Sequence, residues 1–136
     1  MTADRPRIRL KFERVLVRAE GTGRCRVELL FSYDNQPIEI VEPCLTDGIA
    51  PLRSAVLGTL KVLDELTEGR LKCDLDDIDH MNAMGKELVA VLVNVRFEGK
   101  KTQLFGSCQV NGDRVDAAVR AALNATNRMI DLALRK

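Results

Sequence analysis

Shifted by 64 positions, the chain falls on itself. Gly21 meets Gly85, Val27 meets Val91, Leu29 meets Val93, Phe31 meets Val95 and Tyr33 meets Phe97. Farther on, Ile40 meets Leu104, Cys44 meets Cys108, Asp47 meets Asn111 and Gly48 meets Gly112. The matched residues serve the same purposes: turn glycines, alternating apolar positions, and a short polar residue ahead of a helix. A unit written twice restricts the fold to a pseudo-symmetric body. Each half, about 65 residues long, would bury too little surface to be stable alone. The expectation is therefore a single domain over 1–136, made of pseudo-repeats at about 6–69 and 70–136.

Periodicity supplies the elements of each repeat. Ile8, Leu10 and Phe12 alternate with Arg7, Arg9, Lys11 and Glu13, as in a half-buried strand. The alternation changes phase at Arg14, after which Val15 and Val17 are the apolar positions, so a bulge is expected there. Gly21-Thr22-Gly23 turns the chain into a second strand carrying Val27, Leu29, Phe31 and Tyr33. Asp34-Asn35-Gln36 makes a hairpin turn into a third, running to about Cys44. Asp47 or its neighbours are expected to cap a helix with Pro51 in its first turn. Its apolar face is Leu52, Val56, Thr59, Leu60, Leu63 and Leu66, and Gly69 ends it.

The second repeat follows the same order. Leu71, Cys73 and Leu75 alternate before another phase change leads to Ile78 and Met81. After Gly85 comes the cleanest strand, Val89 to Phe97, then a turn at Glu98-Gly99-Lys100 and a strand through Leu104 and Cys108. Asn111-Gly112-Asp113 opens a long helix with Val115, Val119, Ala122, Thr126, Met129, Ile130 and Ala133 on its buried side. Asp113 and Asp116 have capping-box spacing. The predicted fold is α+β: a two-layer, internally duplicated βββα-βββα arrangement of antiparallel strands with the helices packed on the sheet.

Composition narrows the function classes. Apolar residues at 46% and charged residues at 30% fit an ordinary globular protein, and a net charge of +1 offers no basic footprint for nucleic acid. Arg7, Arg9 and Lys11 lack aromatic neighbours on which bases could stack. No apolar run approaches the roughly 18 residues of a membrane span, and no signal-peptide core follows the N-terminus. Cys25, Cys44, Cys73 and Cys108 have no C-x-x-C spacing, so they read as reduced thiols in a cytoplasmic protein. Cys44 and Cys108 share strand parity with core residues and read as small packing residues.

Catalytic templates fail on supply. The only histidine, His80, sits in the acidic stretch Asp74-Leu75-Asp76-Asp77-Ile78-Asp79 and reads as a solvated strand residue. No G-x-S-x-G, P-loop or G-x-G-x-x-G occurs. The aspartates lack the glycine and glutamate of an EF-hand loop and read as an edge-protecting charge run. The expectation is a protein that is not an enzyme and carries neither metal nor cofactor. The helix starts are the places where a ligand is expected, because free N–H groups and the helix dipole favour an anion there. The candidate residues are Gly48, Ile49, Ala50, Pro51 and Leu52 in the first repeat, and Asn111 and Gly112 in the second.

The duplication, the strand-turn-strand from Val89 to Gly106, and the segment Val119-Arg120-Ala121-Ala122-Leu123-Asn124-Ala125-Thr126-Asn127-Arg128 resemble the C-terminal regulatory domain of α-isopropylmalate synthase. In that family the last helix reads approximately A-x-A-x-L-N-A-L-N-R. The resemblance implies a homodimer and a leucine-type ligand held between subunits. It does not imply synthase activity, since the catalytic barrel is absent from these residues. Gly48-Ile49-Ala50-Pro51 keeps one glycine and the proline of the family's G-x-G-P-like turn. The functional expectation is a regulatory-type homodimer that binds a small metabolite such as a branched-chain amino acid and acts on a partner enzyme. A purely structural dimerisation module is the alternative.

Overall fold

The computed structural model describes residues 10–135. Ile8, Arg7 and Arg9 of the expected first strand lie outside them. The element order is β1 (Leu10–Ala19), β2 (Arg24–Tyr33), β3 (Gln36–Leu45), α1 (Ala50–Leu66), β4 (Leu71–Ala83), β5 (Lys86–Phe97), β6 (Lys100–Gln109) and α2 (Arg114–Arg135). The strands form two antiparallel three-stranded sheets, β1-β2-β3 and β4-β5-β6, each followed by its helix. This is the α+β, βββα-βββα layout expected from the duplication.

Turn chemistry sets the hairpins. Three of them close with two residues that both have positive φ: Asp34 and Asn35, Met84 and Gly85, and Glu98 and Gly99. That is the backbone of a type I′ turn, whose twist matches the strands it joins. Gln36, placed in the turn by sequence, is instead the first residue of β3. The phase changes correspond to real register shifts, between Phe12 and Arg14 in β1 and between Leu75 and Asp77 in β4. Because side-chain direction alternates along a strand, each bulge returns the following apolar residues to the inner face. Val15 and Ile78 are buried in consequence.

Each helix buries two faces. Ala55 and Val62 of α1 belong to the core of its own sheet, with Val27, Leu29 and Phe31. Leu52, Val56, Leu60 and Leu63, on the adjacent face, join the core of the other sheet with Val89, Val91, Val93 and Val95. The second helix does the same: Ala118, Ala121, Ala122 and Ala125 lie with β4-β5-β6, while Val119 crosses to the first sheet. Alanines face each helix's own sheet, together with Val62 and Ile130, while the crossing residues are leucines and valines. α1 packs on α2 and reaches β4, and α2 reaches β1. Sequence periodicity identified only one buried side of α2 and missed Ala117, Ala118, Ala121 and Ala125, all buried.

The end of α1 is built around Thr67. Its buried hydroxyl donates to the Leu63 carbonyl at 2.9 Å and accepts the Leu71 N–H at 3.1 Å, joining helix to β4. Glu68 and Gly69 both have positive φ, and the Gly69 N–H donates to the Asp64 carbonyl at 2.8 Å. Gly69 therefore ends the helix as expected, two residues beyond the C-cap position occupied by Thr67.

One expectation about cysteine is corrected. Cys25 and Cys44 stand opposite each other in the β2-β3 register, 5.1 Å apart at Cα, and are joined by a disulfide. Four reduced thiols were expected because spacing along the chain does not reveal cross-strand partners. Cys73 and Cys108 are free and half-buried. Burial pushes the Cys73 thiol up to about 12, with Asp74 and Asp64 adding to the effect. Burial also raises Cys108, against the opposing pull of Arg120. Neither is poised as a nucleophile, because the reactive species is the thiolate.

No helix among the described residues is long and apolar enough to cross a membrane.

Candidate pocket at the start of the first helix

The chain leaving β3 is tied back to the β1-β2 turn, where the Thr46 N–H donates to the Gly23 carbonyl at 3.2 Å. It then makes one tight turn, with the Ala50 N–H donating to the Asp47 carbonyl at 3.1 Å and Gly48 at φ +57° inside it. The first helical bond runs from the Arg53 N–H to the Ile49 carbonyl at 3.0 Å. Ile49 is the N-cap residue and no side chain caps the helix. The N-cap, expected at Asp47 or a residue just after it, falls on Ile49, while Asp47 contributes only its carbonyl. Pro51 lies in the first turn as expected, and that turn contains no acidic residue. The positive end of the helix dipole is therefore not offset by a nearby capping carboxylate.

Beside this helix start is a pocket of about 720 Å³. Gly48, Ile49 and Ala50 form its helical wall, and the disulfide-linked Cys25 and Cys44 lie on its sheet side. Arg24 and Arg53 contribute two cations, Glu20 and Asp47 two carboxylates, and Leu45 an apolar surface that is 58% exposed. Neither arginine forms an ion pair with another described residue, whereas Glu20 accepts from Arg26 at 3.0 Å. The Ser54 hydroxyl is already committed to the Pro43 carbonyl at 2.9 Å. Such a wall offers partners for both signs of charge and for an aliphatic group.

The sequence-predicted residues divide here. Gly48, Ile49 and Ala50 line the pocket. Pro51 follows them in the first turn but does not line it, and Leu52 is buried in the core facing the other sheet. Leu45 is the exposed aliphatic residue of the lining. Asn111 and Gly112 are exposed at the start of α2 and belong to a different environment. Arg24 and Glu20 were missed because they come from the preceding hairpin, more than 20 residues before the helix. Arg53 had a signal, an arginine in the first turn of a helix where a carboxylate is the usual choice.

The start of α2 is closed by its own side chains. Asp113 Oδ1 accepts the Val115 and Asp116 N–H groups at 2.9 and 3.3 Å. Asp113 is thus the cap that its spacing suggested. Asp116 does not complete a reciprocal box but receives Arg120 at 2.7 Å. Glu87 on β5 receives Arg114 Nε at 2.7 Å and is hydrogen-bonded to His80 Nε2. Arg114 and then His80 hold the Glu87 carboxyl below its usual range. His80 is accordingly half-buried with a defined partner, rather than the solvated residue expected from its acidic neighbours. The acidic stretch also makes local bonds: Asp77 and Asp79 accept the N–H groups of Ile78 and His80.

No protein-family model and no curated protein matches the chain.

Proposed function

We propose that this chain is a non-catalytic, regulatory-type domain that acts as a homodimer and binds a small amino acid, of branched aliphatic type, beside the start of α1. The observation that carries the reading is the pocket at an uncapped helix start whose wall combines two cations, two carboxylates and an exposed leucine. A carboxylate would be received by Arg24 and Arg53 at the positive end of the helix dipole. The ammonium group would face Asp47 and Glu20, and the side chain would cover Leu45 and Ile49. Binding that favours one packing of the dimer over another lets such a domain control a partner enzyme without chemistry of its own. The likeness of the α2 sequence to the regulatory domain of α-isopropylmalate synthase supports the same reading. For the dimer, Val41 and Phe105 occupy equivalent repeat positions on the two sheets, and their side chains are 54% and 66% exposed.

Thermal unfolding in the presence of each common amino acid tests the ligand. A ligand at one hundred times its dissociation constant adds about 2.7 kcal/mol to stability. The stabilisation should vanish in Gly48→Val, because a β-branched residue is strained at positive φ. No stabilisation by any amino acid removes the ligand and leaves a dimerisation module. Sedimentation at tens of micromolar tests the dimer separately, and a monomer there overturns both.

A further inference from the structure

On the outer face of the second sheet, Lys72, Arg96 and Lys101 stand directly opposite one another across β4, β5 and β6. All three are exposed. Directly opposed like charges destabilise a sheet, and here the repulsion occurs twice in one row. Lys72 is partly relieved by Asp64 at 3.4 Å. Arg96 and Lys101 form no ion pair with another described residue.

The repeat supplies an internal control. The corresponding row of the first sheet is Lys11, Ser32 and Pro37, with a single cation. A βββα unit of this kind therefore does not require three cations at this level. Next to the cationic row, Asn94 and Gln103 are opposed, and the Gln103 amide donates to Asn94 at 2.9 Å. The two rows line a groove of about 770 Å³ that Asp74 borders on the β4 side.

We propose that this groove binds a compact polyanion carrying several phosphate or carboxylate groups, seated on Lys72, Arg96 and Lys101. Neighbouring strands lie about 4.8 Å apart, so the row spans about 10 Å at the backbone and its long side chains can converge on one small molecule. Arg96, at the centre, presents a planar fork suited to bidentate binding of either group, while the two lysines supply compact charges. Asp74 repels an anion that strays toward the acidic part of β4, which confines the ligand to the cationic end. The site lies on a different element set from the α1 pocket and does not depend on the amino-acid reading.

Isothermal titration calorimetry with inorganic tripolyphosphate and, in parallel, citrate at low ionic strength tests the proposal on the full chain. Saturable one-to-one binding is expected, weakened at least tenfold in Arg96→Gln and in Lys101→Gln. The thermal midpoint of each variant should be unchanged or higher, because a like-charge contact has been removed. The stronger of the two anions identifies the preferred group. Absence of saturable binding by either anion overturns the proposal, as does binding that Arg96→Gln leaves intact. Tighter binding of a single-stranded oligonucleotide, lost in the same variants, overturns the small-ligand assignment in favour of nucleic acid.

Discussion

Both halves pack a helix tightly on a sheet, but they put the glycine on opposite sides of the contact. In the first half it is Gly58 on α1, where an added Cβ would lie 2.4 Å from Leu29 Cδ1 and 3.1 Å from Glu42 Cγ. In the second it is Gly106 on β6, where the same atom would lie 2.2 Å from the Ala121 carbonyl oxygen and 2.5 Å from the Ala125 nitrogen. Glu42 is the repeat equivalent of Gly106 at the 64-residue shift, and Ala121 that of Gly58 at a shift of 63, which also places Leu52 on Val115. The contact is preserved while its small residue has changed partner. Glu42, which faces Gly58 across this contact, is 6% exposed and paired to Lys61 at 2.6 Å. The lesson is that the duplication preserves spacing between elements rather than residue identity. The helix starts diverge in the same manner, open in the first half and closed by Asp113, Glu87 and Arg114 in the second.

The largest test of this comparison is Gly106→Ala. Its new methyl meets backbone, which cannot step aside, so a loss of about 3 kcal/mol is expected in urea unfolding. Gly58→Ala meets the far end of a leucine side chain and gains about 1 kcal/mol of helix propensity. It should therefore cost much less. Equal losses at the two sites would show that the close approaches are not complementary.

An intermediate effect is expected at the other repeat pair, Cys44 and Cys108. Linking residues 19 apart in sequence removes about 3 kcal/mol of freedom from the unfolded chain in the loop-entropy account. Cys44→Ser should lose most of that, while Cys108→Ser, at a half-exposed free thiol, should lose less than about 1 kcal/mol. Alkylation of the denatured, unreduced protein should label only Cys73 and Cys108. Labelling of all four would remove the disulfide from this comparison.

The smallest effect concerns the helix starts themselves. Asp113→Ala removes a cap with two N–H partners and should cost about 1 kcal/mol in thermal unfolding. Asp47→Ala, whose side chain caps nothing, should change stability by less than about 0.5 kcal/mol. A larger loss at Asp47 than at Asp113 would reverse the assignment of the open and closed starts.

Much of the fold was legible because its determinants are local. The bulges followed from phase changes at Arg14 and before Ile78, and the hairpins from short turn sequences. The Asp113 cap followed from its position before an apolar helical pattern. The candidate site was legible only in part. Gly48, Ile49 and Ala50 announced themselves as a glycine turn before a proline-bearing helix. Leu52 lies in the core beneath the other sheet rather than in the pocket lining. Arg24, Glu20 and Leu45 could not be added from sequence, because no local pattern says which hairpin end will stand beside a helix start.

The sequence by itself determined two copies of a βββα unit, since alternation, helical period and turn residues act over a few residues at a time. Only tertiary structure decided how the copies divide their work. Packing each helix against both units gave each one a face toward its own sheet and a second face toward the other. Strand register chose Cys25 as the partner of Cys44 and assembled Lys72, Arg96 and Lys101 into one row. Those outcomes depend on which distant segments come together, and that is settled by burying the two cores at once.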